Sequence, residues 1–192
     1  MIASAASTSA VVIWDVEAER KTDRRKALQS HHRAANSVCW HNLPFCLISA
    51  SQDGSIHYWD VRTPDAPSIT FAPRSDAVRE VDFNPFYHTY FAAAFDDGTV
   101  QAWDLRKPNA CERRITAHDG LVLSVAWHPQ DSSILASGGR DGTVKVWDLN
   151  VANRPRYQIQ TIAAVGKVCW RPKCTYQICS TAAVIDFSMQ IW

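Results

Sequence analysis

Tryptophan recurs along this 192-residue chain at a nearly constant spacing. Five of the eight tryptophans lie 45, 44, 44 and 45 residues apart, and all but the last precede an aspartate. They are Trp14, Trp59, Trp103, Trp147 and Trp192. A second series, formed by Trp40, Phe83, Trp127 and Trp170, keeps intervals of 43, 44 and 43 residues. A fixed period of this length indicates a repeat architecture, in which each repeat packs on its neighbours.

Asp-Gly pairs lie six residues before the periodic tryptophan in three repeats, beginning at Asp53, Asp97 and Asp141. Asp-Gly between alternating apolar runs predicts a β-hairpin, because glycine adopts positive φ without steric cost. The flanking strands are predicted over residues 47–50, 56–59, 134–137 and 144–147. Upstream, a Val-x-Trp or Val-x-Phe strand ends near a proline, which cannot continue a β-ladder. No segment has a convincing helical pattern, so the chain is predicted to be all-β.

These features resemble the WD-repeat family of β-propellers, in which about 40–45 residues form one four-stranded blade. The resemblance implies one partial propeller domain over residues 1–192, with about four and a half blades. Their approximate bounds are 1–30 (partial), 31–72, 73–117, 118–160 and 161–192 (partial). Because such propellers commonly close with about seven blades, we expect an incomplete propeller from a fragment or a partial gene model.

Composition excludes several classes of function. A net charge of +1 lacks the basic excess of a nucleic-acid binder, so no nucleic-acid partner is expected. No apolar run approaches the roughly 18 residues of a membrane span, so no direct membrane insertion is expected. The six cysteines form no CxxC pair, and no HExxH motif or Gly-rich phosphate loop occurs, so no metal or cofactor is predicted. The charged run at 17–26 is interpreted as a solvated loop between blades.

Two repeats contain histidine, serine, aspartate and tryptophan at matching positions. The sets are His31, Ser49, Asp53 and Trp59, and His118, Ser137, Asp141 and Trp147. Taken singly, each set resembles a hydrolase triad, but a catalytic triad is needed once and this set follows the structural repeat. The family resemblance implies a buried hydrogen-bond network from Asp through His and Ser to Trp. We therefore assign no catalytic residue and expect a protein that is not an enzyme.

Other repeats depart from this pattern. The third carries Arg74 and Ala93 at the histidine and serine positions, and the last carries Thr161, Ala182, Asp186 and Trp192. We expect these blades to lack the network and to be softer. Asp141→Ala should then cost more stability than Asp97→Ala, because it leaves buried partners unpaired.

The resemblance marks a set of loop positions as the partner-binding top face of the propeller. They are Ala34, Asn36, Gln52, Ala77, Arg79, Asp96, Leu121, Leu123, Arg140, Ala164, Gly166 and Ile185. Arg79 and Arg140 are the foremost candidates, because arginine forks are favoured anchors at interfaces. The alternative, that both are solvated loop charges, stays open.

Two successive repeats end in a Trp-Asp-x-Arg tetrapeptide, at Trp59–Arg62 and Trp103–Arg106. These tetrapeptides are similar to those of propellers that serve as substrate receptors of cullin-type ubiquitin ligases. That resemblance implies that Arg62 and Arg106 dock the ligase's adaptor from the bottom face. Many WD repeats carry the tetrapeptide incidentally, so this is the alternative function.

Several strings resemble the WD-repeat subunits of SEA/GATOR-two complexes. They lie at 111–114, 116–118, 127–129, 138–141, 144–148, 160–163 and 170–172. The resemblance implies a non-catalytic scaffold that binds other propeller subunits and regulates amino-acid signalling to the target-of-rapamycin kinase. It also implies a location in the cytoplasm or peripherally at the lysosomal or vacuolar surface. The family's C-terminal zinc domain has no counterpart in these residues, so no zinc or ligase role is carried over.

Overall fold

The computed structural model describes residues 1–17, 25–151, 154–183 and 189–192, and all regular secondary structure in these ranges is β-strand. The strands form five antiparallel sheets, which confirms the prediction of an all-β propeller chain. We call the sheets blades 1 to 5. No helix in the described ranges is long and apolar enough to cross a membrane. Most of the charged run at 17–26 lies outside the described residues.

The strands follow one another in chain order through the five blades. Blade 1 contains β1 (Ile2–Ala5), β2 (Ala10–Trp14) and β3 (Arg25–Gln29), and blade 2 contains β4 (Ala35–Trp40), β5 (Cys46–Ser51), β6 (Ile56–Asp60) and β7 (Ile69–Phe71). Blade 3 contains β8 (Val78–Phe83), β9 (Tyr90–Phe95), β10 (Thr99–Asp104) and β11 (Arg113–Thr116). Blade 4 contains β12 (Val122–Trp127), β13 (Ile134–Gly139), β14 (Thr143–Asp148) and β15 (Tyr157–Gln160), and blade 5 contains β16 (Val165–Trp170), β17 (Ile178–Ala182) and β18 (Met189–Ile191).

Each blade is a meander in which neighbouring strands pair antiparallel. The innermost strands β4, β8, β12 and β16 pack side by side in a series, so the blades stand next to one another around these strands. Each of these innermost strands has a β-bulge where it pairs with the second strand of its blade. The residue left unpaired at the bulge is Asn36, Arg79, Leu123 or Gly166. A bulge re-aims the extra side chain, so these four positions share one special geometry.

The apolar cores lie between adjacent blades. Phe71 of blade 2 meets Phe91 and Trp103 of blade 3 edge-on, with ring centroids 5.1 and 5.7 Å apart. Trp59, Trp103 and Trp147 are buried in three successive inter-blade clusters. In these three blades the periodic tryptophan therefore fills the space between one blade and the next.

Hydrogen bonds between innermost strands repeat from blade to blade. Ser37 Oγ accepts the Val81 N–H at 3.4 Å, and Ser124 Oγ accepts the Val168 N–H at 3.0 Å. At the same position Glu80 accepts the Val125 N–H at 3.0 Å and also contacts the Lys167 ammonium of blade 5. Blade 3 thus holds both following blades through one buried carboxylate, an arrangement that the repeat pattern did not predict.

A second series of hydrogen bonds joins the bottom loops. In blades 2, 3 and 4 the residue after the first-strand aromatic donates to a backbone carbonyl of the next blade. His41 reaches His88 O at 2.6 Å, Asn84 reaches Ser132 O at 2.8 Å, and His128 reaches Thr175 O at 3.0 Å. A buried polar side chain without a partner is costly, so each of these side chains keeps its hydrogen bond to the next blade. The bonds therefore fix neighbouring bottom loops against one another.

Candidate functional site

The tetrad of blade 4 forms a continuous hydrogen-bonded chain from the core to the top turn. Trp147 Nε1 donates to Ser137 Oγ at 2.9 Å, and Ser137 Oγ lies 2.7 Å from His118 Nε2. His118 Nδ1 lies 3.0 Å from both carboxylate oxygens of Asp141. A carboxylate only accepts, so Nδ1 carries the proton and Nε2 accepts the Ser137 hydroxyl. The order of donors is therefore fixed from Trp147 to Asp141.

Burial lowers the pKa of His118, which keeps its imidazole neutral and preserves this order of donors. Burial alone would raise the pKa of Asp141, but the hydrogen bond from Thr143 and the neighbouring His118 lower it. The network also requires glycine beside it. A Cβ on Gly139 would lie 2.4 Å from His118 Nδ1, so no larger residue fits there while the histidine is in place.

The tetrad of blade 2 forms the same series of hydrogen bonds, with one hydroxyl added between the histidine and the aspartate. Trp59 Nε1 donates to Ser49 Oγ at 2.8 Å, and Ser49 lies 2.8 Å from His31 Nε2. His31 Nδ1 is 3.0 Å from Ser55 Oγ, which in turn donates to Asp53 at 2.6 Å. The direct distance from His31 to Asp53 is 3.5 Å. Hydrogen bonds from Ser55 and the His32 N–H overcome the effect of burial and lower the pKa of Asp53 to about 2.

These sets do not present a nucleophile to a substrate. The serines Ser49 and Ser137 are fully buried, and each already accepts a tryptophan N–H while it bonds histidine. His31 is further covered by His57, whose ring stacks at 4.3 Å. A hydrolase serine must reach a substrate carbonyl, so this arrangement supports a structural role for both tetrads.

Blade 3 does not form the tetrad, and a different hydrogen-bond network, which the sequence analysis did not predict, holds its turn aspartate. Arg74 adopts positive φ and turns outward, and the adjacent Ser75 hydroxyl donates to Asp97. Thr99 donates to Asp97 through N–H and Oγ1 at 2.9 and 2.6 Å, and Arg114 donates at 2.7 Å. The repeat pattern identified the missing histidine but not the loop movement that brings Ser75 inward.

The inner half of the same site in blade 3 is apolar. Ala93 stands where the other blades have serine, and fully buried Phe95 stands where blade 4 has Gly139. The indole N–H of Trp103 and both polar atoms of the Gln101 amide have no protein partner among the described residues. Blade 3 therefore exchanges a polar relay for packed side chains and leaves polar atoms unpaired.

Blade 5 retains the serine–tryptophan pair, contrary to the prediction that placed Ala182 at the serine position. Trp192 pairs with Ile178 through two backbone hydrogen bonds, and its Nε1 donates to Ser180 Oγ at 2.9 Å. Ser180 also lies opposite Val168, as Ser137 lies opposite Val125 in blade 4. The hairpin after Ser180 is longer than in blade 4, so counting backward from the tryptophan gave the wrong residue.

Blade 1 contains a pair that sequence reasoning missed. Trp14 Nε1 donates to Ser4 Oγ at 3.1 Å, with the same ten-residue separation as in blades 2 and 4.

In blade 5, the Thr161 hydroxyl donates to Gly142 O at 2.7 Å rather than to an aspartate. The predicted turn residue Asp186 and top-face residue Ile185 lie outside the described residues.

The bulged top-face residues are partly used within the propeller. Asn36 donates to Val78 O of the next blade at 2.7 Å, so it joins blades 2 and 3. Arg79 forms a two-point ion pair with Asp96, at 2.5 and 2.7 Å. One edge of that fork is therefore occupied, and the Arg79 side chain is only 31% exposed, so it presents little of its guanidinium to a partner.

The remaining top-face residues form a freer surface on blade 4. Arg140 is exposed and has no ion-pair partner within the described ranges, and Leu121 and Leu123 are half-buried beside it in the top loop and bulge. The backbone N–H of Gln52 donates to Ala34 O, and the Gln52 side chain is half-buried. Blade 5 adds Ile162, which is 87% exposed and was not marked by the repeat.

The two Trp-Asp-x-Arg arginines lie on the bottom face and fold back onto their own aspartates. Arg62 contacts both carboxylate oxygens of Asp60 at 2.6–3.2 Å, and Arg106 contacts those of Asp104 at 2.6–3.0 Å. The guanidinium hydrogen bond lowers the pKa of each aspartate, to about 2 for Asp60. Both arginines stay about two-thirds exposed, because only one edge of each fork is used.

No group of three or more His, Cys, Asp or Glu side chains that could hold a metal ion occurs in the described parts of the chain. The six cysteines are all free.

Comparison with known proteins gives matches of sequence and fold. The family described as WD domain, G-beta repeat matches residues 23–60, 66–104 and 109–148. Across its whole length the chain is 40% identical to the GATOR2 complex protein WDR24 of Gallus gallus, 39% to Wdr24 of Drosophila melanogaster and 38% to WDR24 of Homo sapiens. It spans 27%, 25% and 24% of these relatives, about a quarter of their length.

One solved chain in the Crystal Structure of Mitotic Checkpoint Complex has the same fold, with a TM-score of 0.84 at 25% identity. The match covers 99% of this chain and 56% of that one.

Proposed function

The chain belongs to the WD domain, G-beta repeat family, and from this premise we propose that it is a non-catalytic scaffold in a GATOR2-type complex. In this role it binds other propeller subunits and regulates amino-acid signalling to the target-of-rapamycin kinase. It acts in the cytoplasm or peripherally at the lysosomal or vacuolar surface. The observation that carries the proposal is 38–41% identity over the full chain to GATOR2 subunits of several animals.

The non-catalytic part of the proposal is supported by the tetrads. Their serines are buried and fully hydrogen-bonded, so the residues that look like a triad are used to hold the top turns. One surface available for a partner is the top of blade 4, where Arg140 is exposed beside Leu121 and Leu123. A free arginine next to apolar side chains is a common anchor at protein interfaces.

Affinity purification of the tagged full-length protein tests this proposal. We expect GATOR2-type subunits to co-purify, and Arg140→Glu to reduce their recovery without changing the melting temperature. Arg154→Glu is the matched control, because it makes the same charge change at an exposed arginine that follows β14 on the bottom side of blade 4. Equal recovery with both variants would reject the top-face site, and absence of those subunits from the wild-type preparation would reject the complex.

The second candidate is a substrate receptor of a cullin-type ubiquitin ligase. It is favoured by the two exposed arginines Arg62 and Arg106 at equivalent bottom positions of blades 2 and 3. The double variant Arg62→Ala/Arg106→Ala should then lose a cullin adaptor from the purified complex while Arg140→Glu keeps it. Failure to recover an adaptor with the wild-type protein would reject this candidate.

A further inference from the structure

The bottom loops of blades 2 and 3 expose a set of large apolar side chains. Leu43 and Phe45 are 55% and 41% exposed, and Phe86 and Tyr87 are 47% and 59% exposed. We call these four residues the bottom apolar patch. Single exposed apolar residues are ordinary, but a contiguous group on a soluble protein marks an interaction surface.

Hydrogen bonds join the two loops that carry the patch. His41 Nε2 donates to His88 O at 2.6 Å, and Asn42 Nδ2 lies 3.0 Å from His88 Nδ1. The first loop is therefore fixed against the second, so the exposed apolar side chains of both loops lie on the same face of the molecule.

Both loops are also held in a defined shape. Asn84 Oδ1 accepts the N–H groups of Phe86 and Tyr87 at 2.9 and 3.0 Å. Phe45 has φ of 66°, a left-handed conformation that is an outlier for a bulky residue. Its carbonyl accepts the Val61 N–H at 2.8 Å, which fixes the backbone directly after the exposed ring. Strain of this kind is typical of sites where function requires the side chain.

The fold itself does not require apolar residues there. Ser133 of blade 4 and Thr89 of blade 3 occupy the position of Phe45, because their carbonyls accept the equivalent backbone N–H groups. Neither has positive φ. The corresponding loop of blade 4, residues 129–133, reads Pro-Gln-Asp-Ser-Ser and is polar after its proline. The patch is therefore a property of blades 2 and 3 rather than of the repeat.

Positive charge borders the patch. The Arg62 guanidinium lies 5.7 Å from the centre of the Phe45 ring and is 66% exposed, whereas its partner Asp60 is 22% exposed. Arg106 is 67% exposed above a fully buried Asp104, and it lines a groove of about 670 Å³ together with Tyr87. In both pairs the cation faces solvent and the carboxylate lies beneath it, so the surface favours negative charge.

We propose that the bottom apolar patch docks a segment of another protein that carries apolar anchor side chains flanked by carboxylates. The anchors cover Phe45 and Tyr87, and the carboxylates bind the unused edges of the Arg62 and Arg106 forks. These arginines are already held by their aspartates, so little side-chain entropy is lost when a partner binds. The inference concerns the face opposite Arg140 and does not depend on which complex the chain enters.

A photo-crosslinker tests the proposal in the full-length protein purified with its bound partners. Benzoyl-phenylalanine at Tyr87 should crosslink to one segment of a different polypeptide that contains apolar and acidic residues. The same group at Gln130, in the polar loop of blade 4, is the control and should give no such product. A crosslink from Tyr87 to this chain itself, to a second copy of it, or to a segment without carboxylates overturns the proposal.

Phe45→Gly separates binding from folding. Glycine accepts φ of 66° without strain, so the variant should melt within about 2 °C of the wild type. Its crosslink yield from Tyr87 should fall more than about fivefold, because the anchor surface is lost. Ser133→Gly, at the matched position of blade 4, should leave the yield unchanged. An unchanged yield with Phe45→Gly rejects the patch.

Charge reversal tests the border of the patch. Arg62→Glu should reduce the crosslink yield, and changing the carboxylates of the crosslinked segment to lysine should restore it. If the reversed segment does not restore the yield, the proposed carboxylate contact is wrong. The experiment is independent of the proposed complex, because Arg140→Glu should leave this crosslink intact.

Discussion

Blades 3 and 4 have the same arrangement of four antiparallel strands, yet they hold their top turns by different means. Blade 4 uses a polar chain in which buried His118 joins Ser137 to Asp141. Blade 3 fills the equivalent interior with Ala93 and Phe95 and binds its turn aspartate from outside. The blade is therefore not defined by the tetrad, since apolar packing also maintains it.

The polar interior of blade 4 and the apolar interior of blade 3 differ in how they respond to the loss of one hydrogen bond. A buried relay contributes only while every member is present, because each polar group depends on the next. An apolar interior tolerates the loss of a hydrogen bond but leaves the indole N–H of Trp103 unpaired. Blade 3 also has charged residues in its innermost strand. Glu80 and Asp82 take the positions that Ser124 and Ala126 have in blade 4.

The largest effect should come from removing the centre of the blade 4 relay. Ser137→Ala leaves the Trp147 N–H and His118 Nε2 without partners in a site that is fully buried. We expect a loss of about 2–4 kcal/mol in the free energy of unfolding, measured by urea denaturation. Ser132→Ala, in the bottom loop of the same blade, is the control and should cost less than about 0.5 kcal/mol. A loss below 1 kcal/mol with Ser137→Ala would show that the relay does not hold blade 4.

The two turn aspartates test the comparison directly. Asp141→Ala removes the carboxylate that accepts from the fully buried His118 side chain and leaves only the Thr143 hydroxyl beside Nδ1, so we expect a cost of about 2–3 kcal/mol. Asp97→Ala releases Ser75, Thr99 and the half-exposed Arg114, which water can solvate, so a cost of about 1–2 kcal/mol is expected. Equal shifts of the two denaturation midpoints would contradict the distinction between the blades.

The charged inner strand of blade 3 should make stability depend on pH. Burial raises the pKa of Asp82 to about 6, although its carboxylate accepts the Trp127 N–H at 2.9 Å. A raised pKa means that Asp82 stabilises the fold at acidic pH and that this contribution is lost as pH rises through about 6.

Asp82→Asn should therefore be more stable than the wild type at pH 8 and no more stable at pH 4.5. We expect the gain at pH 8 to be only about 1–2 kcal/mol, because the Asp82 side chain keeps some contact with solvent. Exposed Asp76→Asn is the matched control in the same blade. Denaturation midpoints at both values of pH measure the difference. A constant offset between wild type and Asp82→Asn would exclude ionisation as its cause.

The repeat predicted the hairpins and marked the matching residues of blades 2 and 4 because these depend on local spacing within one blade, and the family resemblance implied the hydrogen bonds among them. It failed where the spacing changed: 22 residues separate Trp170 from Trp192, against 20 between Trp127 and Trp147. That difference could have indicated Ser180 as the tryptophan's acceptor in blade 5. The Glu80–Lys167 contact could not be predicted, because it joins residues 87 positions apart and depends on how three blades pack.

The smallest expected effect is a gain, obtained by giving blade 3 one member of the polar relay. Ala93 occupies the position of Ser137, and the unpaired Trp103 N–H corresponds to the Trp147 N–H that Ser137 accepts. Ala93→Ser should supply this acceptor and raise the free energy of unfolding by about 1 kcal/mol.

The gain is limited because the new hydroxyl must itself be buried, and blade 3 has no histidine to receive its proton. The nearby Gln101 amide oxygen, which also lacks a protein partner, is the acceptor that makes the substitution favourable. Ala93→Ser in a Gln101→Leu background should therefore be destabilising. If Ala93→Ser gave the same change in the denaturation midpoint in both backgrounds, Gln101 would not be the acceptor, and a loss of stability with Ala93→Ser alone would show that the interior of blade 3 is closed to a polar relay.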